Sequence, residues 1–249
     1  MEANPNYVYA HANLCDLYAV LAQHNCTLGI DPSKDVERAV EAGTRALELD
    51  VSWTFSREAM ARALLALATY RLESNLDPTE QVSSVREQIS ALEKADPENA
   101  IALRIDGATY LVEARWAARA SNASELFRQG EQVLRHSLET APEPATYLVL
   151  ADTYRWWGQL VDGPDEVVER GIRAADEAIR LGRRPAAALV TSAALLTIRA
   201  ERQDENRGHL LDQAASRVEE AMSANRHLAG RCGALLRKIR DAREPTSRT

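Results

Sequence analysis

Apolar residues recur at a spacing of three to four along this chain, and the pattern breaks at regular intervals. In the first segment Tyr7, Leu14, Tyr18 and Leu21 fall on one stripe of a helix. The stripe breaks at residues 27–30, and a second one follows with the same period. Stripes of this period predict amphipathic helices, so we expect pairs of helices separated by short turns.

Similar helix-ending phrases recur along the sequence at intervals of about 45 residues. Leu-Glu-Leu-Asp occupies 47–50 and Leu-Glu-Lys-Ala-Asp-Pro occupies 92–97, with less regular copies further on. Asp-Pro pairs at 31–32 and 77–78 mark where second helices begin, because aspartate caps a helix and proline at the first position loses no helical hydrogen bond. A fixed period of this size is typical of stacked helix pairs that share one core.

The repeat predicts an all-α fold, a right-handed helical-repeat solenoid in a single domain over residues 1–249. We expect helices at about 52–74 and 79–94 in the second unit. Glycines inside helices, such as Gly43 and Gly171, each cost about 1 kcal/mol relative to alanine, so we expect neighbouring helices to approach closely there. The five predicted units span 5–50, 51–96, 97–141, 142–182 and 183–225, and a capping helix spans 227–242.

Composition supports this fold and excludes some classes of function. Alanine and leucine dominate while aromatic residues make up only 5%, which favours helices over sheets. A net charge of -7 argues against nucleic-acid binding, which needs a clustered basic surface. The chain has three cysteines, no apolar run of membrane-spanning length and no signal-peptide pattern at its start. We therefore expect a cytoplasmic protein that does not bind membranes.

Several motifs resemble the tetratricopeptide repeat. Residues 4–7 read Asn-Pro-Asn-Tyr, Leu14 and Tyr18 follow with the small residue Cys15 between them, and residues 46–50 read Ala-Leu-Glu-Leu-Asp. A standard unit of that family has 34 residues, so these units are longer. The resemblance implies a solenoid whose first helices line a concave, partner-binding face.

The longer unit resembles one group of such repeats in particular. The small-residue and tyrosine pair recurs as Gly107 with Tyr110 and as Ala151 with Tyr154, and residues 113–116 read Glu-Ala-Arg-Trp. This form is similar to the repeat region that follows the kinase domain in some bacterial serine/threonine protein kinases. It implies a protein-interaction scaffold, the recruitment or regulatory region of a larger signalling protein. A peptide-sensing receptor is the alternative.

The first residues read as the tail of a further repeat. Glu2-Ala3-Asn4-Pro5 matches the end of a unit whose body is absent, so we expect the natural protein to be longer at its N-terminus. The first helix then opens the array without a cap. We therefore expect weak, concentration-dependent self-association through residues 1–30 that the full-length protein would lack.

Motifs for catalysis and for cofactor binding are absent from the sequence. It contains no kinase Gly-rich loop, His-Arg-Asp or Asp-Phe-Gly, no Walker phosphate loop and no Gly-x-Ser-x-Gly. His11, Cys15, His24 and Cys26 are the one group of metal-ligand type, but Cys15 and His24 would lie about 14 Å apart along a straight helix. We therefore expect neither enzymatic activity, nor a cofactor, nor a metal site.

The register of the first helices assigns candidate partner-contacting residues. The outermost position is apolar in most units, which favours binding of an apolar-faced helix or an extended peptide. The alternative is that these side chains pack against the neighbouring first helix. The two-asparagine clamp that grips a terminal carboxylate in some tetratricopeptide proteins is not reproduced. The candidates are Tyr9, Asp16, Phe55, Glu58, Arg62, Ile101, Arg104, Leu148, Asp152 and Arg155, with Ala12, Ala108, Val190 and Ala194 completing the pattern.

Overall fold

A computed structural model describes residues 7–119, 123–161, 164–183, 185–203 and 206–243 of the chain. These residues form eleven α-helices and one 3-10 turn, and no strand occurs among them, which confirms the predicted all-α repeat of helix pairs. The helices are α1 (Val8–Leu28), α2 (Ser33–Leu49), α3 (Thr54–Glu73), α4 (Thr79–Ala95), α5 (Ala100–Ala117), α6 (Ala123–Thr140), α7 (Pro144–Leu160), α8 (Asp165–Leu181), α9 (Ala186–Arg202), α10 (Arg207–Ala224) and α11 (Ala229–Arg243).

The structure contains turns at the positions where the sequence predicts them. Asp31 accepts a hydrogen bond from the backbone N–H of Ser33 at 2.9 Å, and Asp77 accepts the equivalent bond from Thr79 at 2.9 Å. Both helices begin one residue after the predicted proline start, since Pro32 has ψ near 0° and lies at the edge of the helical region. Gly29 ends α1 in the left-handed conformation, with φ 72°.

The chain divides into two compact units, Met1–Thr140 and Ala141–Thr249. In the first unit, α1 contacts α3 and α3 contacts α5, so the first helices of the pairs form one layer. The second helices α2 and α4 each contact the first helix of their own pair and that of the next pair. This alternation is the packing expected of stacked helix pairs.

Small side chains fill the core where α1, α2 and α3 meet. Ala19, Ala39 and Ala63 are fully buried there, packed with Met60. A Cβ atom on Gly43 would lie 2.6 Å from the Cγ atom of Met60, closer than carbon atoms can approach. The predicted close approach at this glycine is confirmed, and it explains why α2 tolerates glycine in its interior.

The second unit repeats the same packing. Here α7 contacts α9 and α9 contacts α11, while α8 and α10 each contact the first helices on either side. A Cβ on Gly171 would lie 2.7 Å from Cδ2 of Leu195 and 3.0 Å from Cβ of Tyr154, so this glycine too marks a close approach. The predicted capping helix is present as α11, preceded by the 3-10 turn Arg226–Leu228, and it turns Ile239 into the core. No helix in the described part of the chain has the length and apolar character needed to cross a membrane.

Candidate partner-binding face

The predicted contact positions of the first unit form three rows across α1, α3 and α5. Members of a row are 46 residues apart, so they occupy equivalent positions on consecutive first helices. The rows themselves are three or four residues apart along each helix and therefore share one side of the layer. We call this surface the first-helix face; its rows are Tyr9, Phe55 and Ile101, then Ala12, Glu58 and Arg104, then Asp16, Arg62 and Ala108.

An ion pair joins two neighbouring helices in the third row. The Nη2 atom of Arg62 on α3 donates to Oδ1 of Asp16 on α1. The Asp16 side chain remains 37% exposed and that of Arg62 21% exposed, so both still present polar atoms at the surface. The pair links the two helices at the surface and leaves part of each side chain accessible to a partner.

Glu58 positions the beginning of α5. Its Oε1 atom accepts a hydrogen bond from Nδ2 of Asn99 at 3.1 Å. Asn99 in turn caps α5, because its Oδ1 accepts from the backbone N–H of Ala102 at 2.9 Å. Glu58 thus contacts the start of the neighbouring first helix. This contact agrees with the alternative given above, in which these side chains pack against the neighbouring first helix and not against a partner.

Aromatic side chains cluster at the start of α1 and α3. The ring of Tyr9 contacts Trp53 edge to face, with centroids 4.7 Å apart, and lies 5.3 Å from the ring of Tyr7. Tyr9 is 48% exposed and Phe55 is 39% exposed, although both are large and apolar. Tyr9 and Phe55 each lie seven residues before the ion pair, two helical turns away on the same side of the helix.

Other predicted positions of the face are less accessible. Ala12 was expected to be exposed and is buried, since it falls on the same stripe of α1 as the buried residues Cys15 and Ala19. Ile101 is half-buried against a small core cluster that includes Ile105. Arg104 is half-buried on α5.

In the second unit the predicted residues lie on α7 and its contact with α9. Asp152 accepts hydrogen bonds from Nε of Arg155 at 2.9 Å and from Oγ1 of Thr191 at 3.1 Å. The guanidinium of Arg155 also stacks 4.4 Å from the ring centroid of Trp156. Leu148 is half-buried. As in the first unit, an acidic residue connects neighbouring first helices beside a partly exposed arginine.

A partly buried charge cluster between α4 and α5 was not predicted. Arg86 pairs with Asp106 at 2.7 Å and with Glu113 at 2.6 Å, and its guanidinium lies 4.3 Å from the ring centroid of Tyr110. Burial raises the pKa of Asp106 to about 6, against the opposing effect of Arg86. Asp106 lies 46 residues after Met60, at the equivalent position of the next repeat. Because Met60 is apolar and buried, the register of the repeat was the signal in the sequence that Asp106 would be buried.

The residues of metal-ligand type do not converge. Among the described residues, no group of three or more His, Cys, Asp or Glu side chains is placed to hold a metal ion. Helix α1 runs unbroken from Val8 to Leu28, which keeps Cys15 and His24 apart. Burial raises the pKa of the Cys15 thiol to about 12, so it remains protonated and packs as a small apolar side chain.

The chain was compared with protein-family models and with curated proteins, and neither comparison found a match.

Proposed function

We propose that this protein is an interaction scaffold of the tetratricopeptide type that binds a protein segment on the first-helix face. The observation that carries the proposal is the pairing of exposed aromatic rings with partly exposed charges on one side of a helical layer. Tyr9 and Phe55 leave apolar surface in solvent, and Asp16 and Arg62 lie two turns along the same helices. Aromatic and arginine side chains on one surface are typical of protein-binding sites.

The geometry favours a peptide that anchors through an apolar side chain. The two charged groups beside the aromatic residues already neutralise each other, so they offer no net charge to a terminal carboxylate. They can instead exchange hydrogen bonds with the backbone of an extended peptide, while the rings hold one of its side chains. The helices α1 and α3 hold these groups in place, which limits the entropy lost on binding.

We further propose that the protein serves as the recruitment or regulatory region of a larger bacterial signalling protein, such as a serine/threonine kinase. The support for this step is the resemblance of the lengthened repeats to those that follow kinase domains. The layer of first helices within the first unit provides a surface on which a substrate or regulator can be held.

Selection of peptides from a display library tests the proposal, followed by calorimetry with the best binder. Replacement of Phe55 by glutamate is expected to weaken that peptide at least tenfold, because it places a charge where the apolar anchor binds. Leu76→Glu is the matched control, since Leu76 is 48% exposed but lies in the turn after α3. Equal affinity for wild type and Phe55→Glu would contradict the proposal, and a large change in shape on binding would favour the receptor alternative.

A further inference from the structure

A groove of about 490 Å³ lies in the first unit between the second helices α2 and α4, and α3 forms its floor. This volume is within the range of about 300–1,000 Å³ that is typical of small-molecule sites. The residues that α3 contributes each lie two positions after a member of the first-helix face, about 200° around the helix, so the groove is separate from that face. We call it the α2–α4 groove; its lining includes Val40, Leu47, Arg57, Met60, Leu64 and Glu87.

The chain fills the corresponding space in the next repeat with a side chain of its own. Arg86 stands 46 residues after Val40, and Tyr110 stands 46 residues after Leu64. The guanidinium of Arg86 lies 4.3 Å from the ring centroid of Tyr110 and thus covers the floor at that point. Val40 is too short to cover Leu64 in the same way. The α2–α4 groove therefore stays open above an apolar floor, which suits an apolar group from another molecule.

Arg57 provides a positive charge on the floor of the groove. It is half-buried, and its Nη1 atom donates to Oε1 of Gln88 on α4 at 3.4 Å. No acidic side chain of the described residues pairs with Arg57. A guanidinium has five N–H donors, and this one uses a single donor in a long hydrogen bond. The remaining donors are suited to a carboxylate, which arginine binds in bidentate geometry.

Glu87 provides a negative charge at the rim of the groove. It is exposed on α4 and has no hydrogen bond or ion pair within the ranges that the structure describes. Glu48 on the α2 side of the groove is paired with Arg45 at 2.7 Å. A ligand that carried only a carboxylate would meet repulsion from Glu87. A ligand that also carries an ammonium group has no net charge and can pair with both Arg57 and Glu87.

We propose that the α2–α4 groove binds a free α-amino acid with a large apolar side chain, such as phenylalanine. The carboxylate of the ligand binds the guanidinium of Arg57, and its ammonium group lies beside Glu87. Its side chain packs on Met60 and Leu64 in the floor. The groove is open to solvent, so the affinity is low, with a dissociation constant on the order of 100 µM. This site is independent of partner binding on the first-helix face.

Calorimetric titration of the whole chain with three related compounds tests the chemistry of the ligand. Phenylalanine is expected to bind. Phenethylamine, which lacks the carboxylate, is expected to bind about tenfold more weakly, and 3-phenylpropionate, which lacks the ammonium group, about threefold more weakly. Failure of phenylalanine to bind at concentrations up to about 5 mM would overturn the proposal. So would either of the other compounds binding as tightly as phenylalanine.

Three substitutions test the place of binding. Arg57→Gln is expected to weaken phenylalanine about tenfold, because an amide cannot replace the bidentate ion pair. Thr44→Trp is expected to abolish binding, since Thr44 is exposed on the α2 wall and the larger side chain fills the groove. Glu87→Gln is expected to weaken phenylalanine about threefold without weakening 3-phenylpropionate.

The matched control is Arg128→Gln, because Arg128 is also a partly exposed arginine of the first unit and pairs with Glu125 on α6 at 2.6 Å, away from the groove. It should bind phenylalanine as wild type does. Far-ultraviolet circular dichroism should show the same helix content in all the variants. Unchanged affinity in either Arg57→Gln or Thr44→Trp would overturn the proposal, because the ligand would then lie elsewhere.

Discussion

Asp106 occupies a position that the repeat fills with apolar atoms in the two preceding units, where Leu14 and Met60 stand. Its side chain is only 11% exposed, and its carboxyl group accepts a hydrogen bond from Arg86. The pKa of Asp106 is raised from 3.8 to about 6 because burial disfavours the charged form. The folded state therefore binds a proton more readily than the unfolded state between these values, and the stability that protonation confers is lost as the pH rises through about 6.

Replacing Asp106 with asparagine should remove this pH dependence while keeping the shape of the side chain. As the pH falls from about 7 to about 5, the free energy of unfolding of wild type should rise by about 1 kcal/mol relative to that of Asp106→Asn. Urea denaturation at a series of pH values measures the difference. Parallel curves for the two proteins would show that Asp106 titrates as an ordinary exposed carboxyl group.

The burial of some residues and the contacts between them could not be predicted from the sequence. The burial of Ala12 and of Asp106 depends on which neighbouring helices approach them, and local pattern carries that information only through the register of the repeat. The pair Asp16–Arg62 joins equivalent positions of consecutive units, so the register brought both residues to one surface but did not show that they contact each other.

At the scale of the element, helix boundaries were well predicted because their signals are local. The helix expected at 79–94 spans Thr79–Ala95, since the Asp-Pro start and the Asp96 end lie within a few residues of it. The side on which each helix is covered is a tertiary property. Helix α1 illustrates this, because its apolar pattern alone does not distinguish the buried Cys15 and Ala19 from the exposed Leu14 and Leu17.

Close approach between helices predicts opposite effects for two glycine substitutions. Gly171→Ala should destabilise the protein by about 1 kcal/mol, because the added methyl group meets Leu195 and Tyr154 and the overlap outweighs the gain in helix propensity. Gly233→Ala should stabilise it by up to about 1 kcal/mol, since the added Cβ atom would lie 4.0 Å from the Nη1 atom of Arg237 and meet no steric overlap. Thermal denaturation compares them, and equal effects from both changes would contradict the packing described for α8.

At the scale of the whole molecule, the same packing occurs within each of the two units. The first helices form one layer, and the second helices pack against one side of that layer. The predicted contact residues lie on first helices in both units, on α1, α3 and α5 in the first and on α7 in the second.

Photo-crosslinking tests the central claim, that the first-helix face binds the partner, most directly. A photoreactive amino acid at position 55 should form a covalent adduct with the selected peptide, and the same residue at position 37 on the exposed side of α2 should not. Mass spectrometry of the adduct would identify the contacting residue of the peptide. Crosslinks from position 37 without any from position 55 would show that the partner binds the second-helix side, and would contradict the account.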